Sequence, residues 1–239
     1  MGIIEGKFSN ILFISDLHLP YGHPDTLPFL KEINRTLKPD LVVCLGDELD
    51  FHSISFHSHS AELLSPTDEL KLSIEQLQPF YELFPKMLIV ESNHGSMVYR
   101  KIKDAGLPIH VIKSYKDVLG APKEWEWFED LIITTKDDQE IYVCHGRSNN
   151  VLKESQLHGI NFVSGHHHST FSLNYWANRQ RLMWGMSCGC LVDQKSLAYE
   201  YAKNFTKKFI VGTGVIYQNQ PRLVPMLLDE NGRWLRKLV

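Results

Sequence analysis

The tightest constraint on the fold of this chain is a repeated unit. A short apolar run ends abruptly in aspartate, asparagine or histidine, and a stretch of helical period follows. Asn10-Ile-Leu-Phe-Ile-Ser15 runs into Asp16-Leu17-His18, Leu41-Val-Val-Cys-Leu45 into Gly46-Asp47, and Met87-Leu-Ile-Val90 into Ser92-Asn93-His94-Gly95. Between them, Leu27, Phe29, Leu30, Ile33 and Leu37 fall at helical spacing within 25–37, ahead of Pro39. A longer helix fits 67–83, with Thr67 as its expected cap before Asp68 and Glu69. Strand, polar end and helix in alternation predict a mostly parallel sheet covered by helices, with the ligand site at the carboxyl ends of the strands.

The second half repeats the pattern with histidine. Leu131-Ile-Ile-Thr-Thr135 and Glu140-Ile-Tyr-Val-Cys144 flank a polar turn, and the second arm ends in His145-Gly146. A helix near 150–158 leads to Ile160-Asn-Phe-Val-Ser164, which ends in Gly165-His166-His167-His168. Beyond it the pattern is strand-rich over 170–184, 209–217 and 222–228, with no linker composition anywhere. The expectation is one α/β domain over 1–239 containing two packed sheets.

Composition removes several classes. Twelve Phe, nine Tyr and five Trp argue against disorder, and a net charge of -3 argues against a dedicated duplex-binding protein. No apolar run reaches the roughly 18 residues of a membrane span, and MGIIEGKFSN lacks the order of a secretory signal. Cys44, Cys144, Cys188 and Cys190 are too scattered for a disulfide framework, so the expected setting is a reducing cytoplasm, with the thiols buried. Histidine is the excess: 12 of 239 residues, clustered at strand ends.

Five strand ends thus supply Asp16, His18, Asp47, Asn93, His145, His166 and His168. A core does not need polar groups on five strand ends, whereas hard oxygens and imidazoles in this number suit two divalent ions sharing one carboxylate. Two such ions, two carboxylates and a shared hydroxide leave residual positive charge, which favours a phosphate ester as substrate. Manganese is the expected metal, with Fe, Zn, Co, Ni or Mg as alternatives for the same donors.

Asp16-x-His18, Gly46-Asp47-x-x-Asp50, Asn93-His94, His145 and Gly165-His166-x-His168 together resemble, in order and over about two thirds of the chain, the signature of the calcineurin-like metallophosphoesterases. The resemblance implies an αββα sandwich of two mixed β-sheets flanked by helices. It implies that Asp16, His18, Asp47 and His168 hold one ion, that Asp47, Asn93, His145 and His166 hold the other, and that Asp47 bridges. In that pattern His167 is no ligand and Asp50 supports the site. The chain departs from the pattern at Ser92, where glycine is usual, at Gly95, where an acidic residue is usual, and at Phe51, where the phosphoprotein phosphatases carry arginine. GDELDFH and SNHG are similar to phage-encoded members, among them deoxynucleoside 5'-monophosphatases and nucleases.

The mechanism expected is in-line attack by metal-activated hydroxide, with His94 protonating the leaving alkoxide. Arg147 is placed as a phosphate clamp and His52 as a substrate contact, while Phe51, Phe56, His57 and His59 form a loop that reads either as a base-stacking surface or as an anchored solvated segment. The leading function is a phosphomonoesterase on (deoxy)nucleoside 5'-monophosphates. A phosphodiesterase or nuclease acting on DNA or RNA is the alternative, and a binding module without catalysis is the third possibility. A small phosphorylated substrate is the expected partner, with no membrane involved.

Overall fold

The structure is a computed structural model that describes residues 1–55, 63–196, 206 and 208–238. Phe56, His57, His59 and most of the basic stretch at 203–208 lie outside the described residues. The chain runs through β1 (Gly2–Phe8), β2 (Ile11–Ile14), α1 (Thr26–Leu37), β3 (Leu41–Cys44), α2 (Pro66–Leu83), β4 (Met87–Val90), α3 (Met97–Asp104), α4 (Tyr115–Leu119) and β5 (Trp125–Phe128). It continues through β6 (Leu131–Thr135), β7 (Glu140–Cys144), α5 (Val151–His158), β8 (Asn161–Ser164), β9 (Phe171–Ala177), β10 (Leu182–Cys188), β11 (Gly212–Tyr217) and β12 (Gln220–Pro225).

Two six-stranded sheets result, in the orders β12-β11-β2-β3-β4-β5 and β1-β6-β7-β8-β10-β9. In the first, β2 to β5 are parallel and β11 lies antiparallel to both β2 and β12. In the second, β6–β7 and β9–β10 are antiparallel, while β1–β6, β7–β8 and β8–β10 are parallel. Both sheets are therefore mixed.

The unbroken apolar runs follow from burial on both faces, because successive strand residues point to opposite sides. On β2 to β4, Ile11, Phe13, Val43 and Val90 enter the layer between the sheets, where they meet Leu131, Ile133, Val143, Val163 and Met186. Their neighbours Leu12, Ile14, Cys44 and Ile89 pack outward under Phe29, Leu30 and Ile33 of α1 and Leu77 and Phe80 of α2. On the far side, Val151 of α5 packs on Tyr142, Cys144 and Phe162. The layers are helix, sheet, sheet, helix, and this is the sandwich expected.

Some local expectations change. Helix α2 is capped by Ser65, not Thr67: the Ser65 hydroxyl accepts the Asp68 N–H at 3.2 Å and Pro66 takes the first helical position. Proline fits there because that N–H has no intrahelical partner, which moves the cap one residue upstream of it. Strands β1 and β5 and helices α3 and α4 are additional to the elements read from sequence. β1 is an edge strand carrying Glu5 and Lys7, with Ile3 67% exposed, so it shows no apolar run. All four cysteines are free and buried. Among the described residues no helix is long and apolar enough to cross a membrane.

Candidate metal centre

The loops just beyond β2, β3, β4, β7 and β8 converge, and they do so through unusual backbone. Asp16, His18, Asp47 and His166 all have positive φ, at 49°, 46°, 52° and 67°. Each such residue costs on the order of 1–3 kcal/mol and persists only when its surroundings impose it. The His18 N–H donates to the Asp47 carbonyl at 2.8 Å, and the Asp47 N–H donates to the Ser92 hydroxyl at 2.9 Å. The His166 N–H donates to the Asp16 carboxylate at 2.9 Å. Gly165 lies directly against that carboxylate and the Ser15 hydroxyl, leaving no room for a Cβ.

Two groups of donors emerge. Asp16 Oδ1 lies 3.2 Å from His168 Nε2, which lies 3.1 Å from His18 Nε2. Asp47 Oδ2 lies 3.1 Å from His145 Nε2, which is 3.1 Å from His166 Nδ1 and 2.8 Å from Asn93 Oδ1. The Asp47 carboxylate joins the groups, since the same Oδ2 is 3.4 Å from His18 Nε2. The opposite ring nitrogens are fixed from behind. His145 Nδ1–H donates to the Leu45 carbonyl at 2.7 Å, and His18 Nδ1 meets Asp50 Oδ1 at 3.2 Å, so both imidazoles present Nε2 to the centre. Asp50 also holds His94, whose Nδ1 contacts the Asp50 carbonyl oxygen and lies 3.2 Å from its carboxylate, while the His94 N–H donates to Asp47 Oδ1 at 3.1 Å.

Protons mark the point of convergence. Burial alone would raise Asp16 and Asp47, yet the imidazoles around them hold both carboxyls below the usual carboxylate range. Burial disfavours a charged His145, but Asp47 overrides it and pushes the ring up to about 9. Burial and the neighbouring His145 together push His166 down to about 4. Burial would likewise lower His94, and its bond to Asp50 outweighs that and raises it. A cationic and a neutral imidazole in nitrogen-to-nitrogen contact beside two carboxylates are what a donor set does with protons when its natural occupant is a cation. The mixture of imidazole, carboxylate and amide oxygen fits a pair of mid-row divalent ions.

The seven residues expected as ligands all come together, and His167 belongs to neither donor group, its ring packing edge-on to His166 with centroids 4.9 Å apart. Arg147 lines a cavity of about 490 Å³ with Asn93, His145 and His166, and its guanidinium is 3.6 Å from Asp130. His52 is 3% exposed, its N–H donates to Glu69 Oε1 at 2.7 Å, and its ring lies edge-on to Tyr21. Ser92, visible in the sequence only as a departure, turns out to anchor two loops, since its hydroxyl accepts the N–H of Asp47 and that of Gly95. Arg100 of α3 gives no motif signal, yet it donates to the Asn93 carbonyl at 2.7 Å and lines the same cavity.

A family model described as calcineurin-like phosphoesterase matches residues 9–211. The chain belongs to this family. It is accordingly a metal-dependent phosphoric ester hydrolase, and the family and the clusters of histidine and aspartate agree on a binuclear divalent centre. No curated protein sequence matches it. Among solved structures it is similar to Vps29 from Cryptosporidium parvum, at 16% identity and TM-score 0.48, with 95% of each chain covered. It is also similar to Vps29 of Chaetomium thermophilum, at 13% identity and TM-score 0.47 over 97% of this chain and 95% of that one. YfcE, a phosphoesterase from E. coli, aligns at 15% identity and TM-score 0.43 over 96% of this chain and 98% of that one.

Proposed function

We propose that this member of the family is a phosphomonoesterase that removes phosphate from (deoxy)nucleoside 5'-monophosphates. The observation that carries the reading is the Asp47 carboxylate shared between two donor groups, with His94 beside it on an aspartate of its own. Asp16, His18, Asp47 and His168 would hold one ion, and Asp47, Asn93, His145 and His166 the other. Bound there, the pair supplies Lewis-acid neutralisation of the phosphoryl oxygens and a water acidic enough to attack phosphorus near neutral pH. Asp50 fixes His94 through Nδ1, which leaves Nε2 to deliver a proton to the departing alkoxide.

A monoester is favoured over DNA or RNA by the lining of the 490 Å³ cavity, where Glu91 and Glu129 stand beside Arg100 and Arg147. A polyanion groove would be basic throughout. Manganese is the proposed metal and a reducing cytoplasm the proposed setting, the latter supported by the four unpaired thiols. The deciding experiment is phosphate release by the Mn²⁺-loaded protein from a panel of 5'-nucleotides, run beside single-stranded DNA and bis(p-nitrophenyl) phosphate. Release from the monophosphates alone is expected; cleavage of the DNA or the diester would replace this reading with a nuclease.

A further inference from the structure

Helix α3 follows the Asn93-His94 loop directly, and little in its own sequence holds it in place. It spans 8 residues and buries only Met97, whereas an isolated helix needs roughly 12–15 residues to persist in water. Its ties run back to the loop. The Ser96 hydroxyl donates to the Ser92 carbonyl at 2.7 Å, and Arg100 sends Nη2–H back to the Asn93 carbonyl, also at 2.7 Å. Ser96 reaches the Asn93 carbonyl only at 3.5 Å, so the guanidinium is the principal donor there.

The Asn93 carbonyl and the His94 N–H belong to one peptide group. That group is planar and trans, so its oxygen and its hydrogen point in opposite directions. Arg100 takes the oxygen, and the hydrogen donates to Asp47 Oδ1 at 3.1 Å. Guanidinium, peptide and shared carboxylate thus form one chain, and turning the peptide breaks both bonds together. A charged donor on the carbonyl also strengthens the N–H on the other side, because hydrogen bonds in a chain polarise one another. With Oδ1 held there, Asp47 turns Oδ2 towards His18 Nε2 at 3.4 Å and His145 Nε2 at 3.1 Å. Asn93 itself presents Oδ1 to His145 Nε2 at 2.8 Å. An arginine on a loop carbonyl ordinarily fastens a surface; here the acceptor peptide joins a ligand, the general acid and the bridge.

We propose that Arg100 is a positioning residue of the metal centre. It sets the plane of the Asn93–His94 peptide, and through that plane the aim of the Asp47 carboxylate and of the Asn93 amide oxygen. The inference rests on the ligand assignment above and is independent of which phosphate ester is the substrate.

The test compares three variants of the full chain. Arg100→Met keeps the apolar stem and removes every donor, Arg100→Lys restores a charged donor, and Lys103→Ala removes a charge from the end of the same helix. Amide exchange at His94, followed by NMR without metal, is expected to quicken about tenfold in Arg100→Met and to stay near wild type in the other two. Calorimetric titration should show Mn²⁺ binding weakened about tenfold in Arg100→Met and recovered in Arg100→Lys. At saturating Mn²⁺, kcat for p-nitrophenyl phosphate should fall about tenfold in Arg100→Met with KM within about twofold. Should Arg100→Met lose its fold, Arg100→Gln, which is shorter and uncharged, stands in with the same expectations. Unchanged Mn²⁺ affinity overturns the proposal, whether or not His94 exchange quickens. A rise in KM alone overturns it by making Arg100 a substrate contact, and an equal loss in Lys103→Ala overturns it by making the effect one of overall charge. Failure of the wild type to bind Mn²⁺ would strike the ligand assignment, and this inference with it.

Discussion

Asp16, His18 and His168 lie outside the lining of the 490 Å³ cavity that Asn93, His145 and His166 share, although the two groups are alike in burial and are joined by Asp47. The His18 side chain is 2% exposed and is held from behind by Asp50, whereas His145 and His166, with Asn93, form part of the wall of the 490 Å³ cavity. An ion held beside that cavity is expected to meet substrate and to exchange more readily than one held away from it, and the expectation can be tested.

Asp47→Ala removes the carboxylate whose Oδ2 lies beside an imidazole of each half, and is expected to lower phosphate release on the order of 10³-fold, with metal content per chain falling for both ions. His94→Ala separates chemistry from metal binding: both ions stay, turnover of alkyl phosphates falls about 10²- to 10⁴-fold, and p-nitrophenyl phosphate, whose leaving group needs little protonation, is spared. Equal loss on both substrates would remove His94 from the acid role. The halves are compared directly by His168→Ala and His166→Ala under chelator titration. His166→Ala should weaken one ion about 10- to 100-fold while the other stays bound, and His168→Ala should release the ion that wild type gives up last. Identical release profiles would erase the distinction between the halves.

The smallest effect concerns pH in the metal-free protein. His145 is raised to about 9 by Asp47, so its contribution to stability is complete below its ordinary value near 6.5 and disappears as pH rises through about 9. A decline on the order of 1–3 kcal/mol, several degrees in Tm, is expected over that window, and metal loading should abolish it because the ions take the place of the proton. A flat profile without metal would show that the proton is not held there.

How far the sequence foretells this depends on whether a residue acts through its position in the chain or through space. The convergence of the candidate ligands is legible because a strand buried on both faces has to end where polar groups begin, and the ends of five such strands lie together. The sandwich follows from the same runs, since residues such as Leu12 and Phe13 feed different cores. Strand β1 is hidden because an edge needs charge more than apolar content. Arg100 and Ser92 are hidden for another reason: each acts on a loop through one hydrogen bond, and neither leaves a period or a spacing behind. His52 shows a structural tie that the polar stretch around it does not announce, since its N–H donates to Glu69 and its ring lies edge-on to Tyr21.

The left-handed turns at Asp16, His18, Asp47 and His166 reach beyond catalysis. A chain lacking its ions carries that torsional burden with only protons to hold the donors together, and every bound ion shifts the balance towards the folded form by mass action. In a cell, metal supply would then set how many copies survive proteolysis as well as how many are active, so that scarcity of the ion thins the population of the enzyme itself.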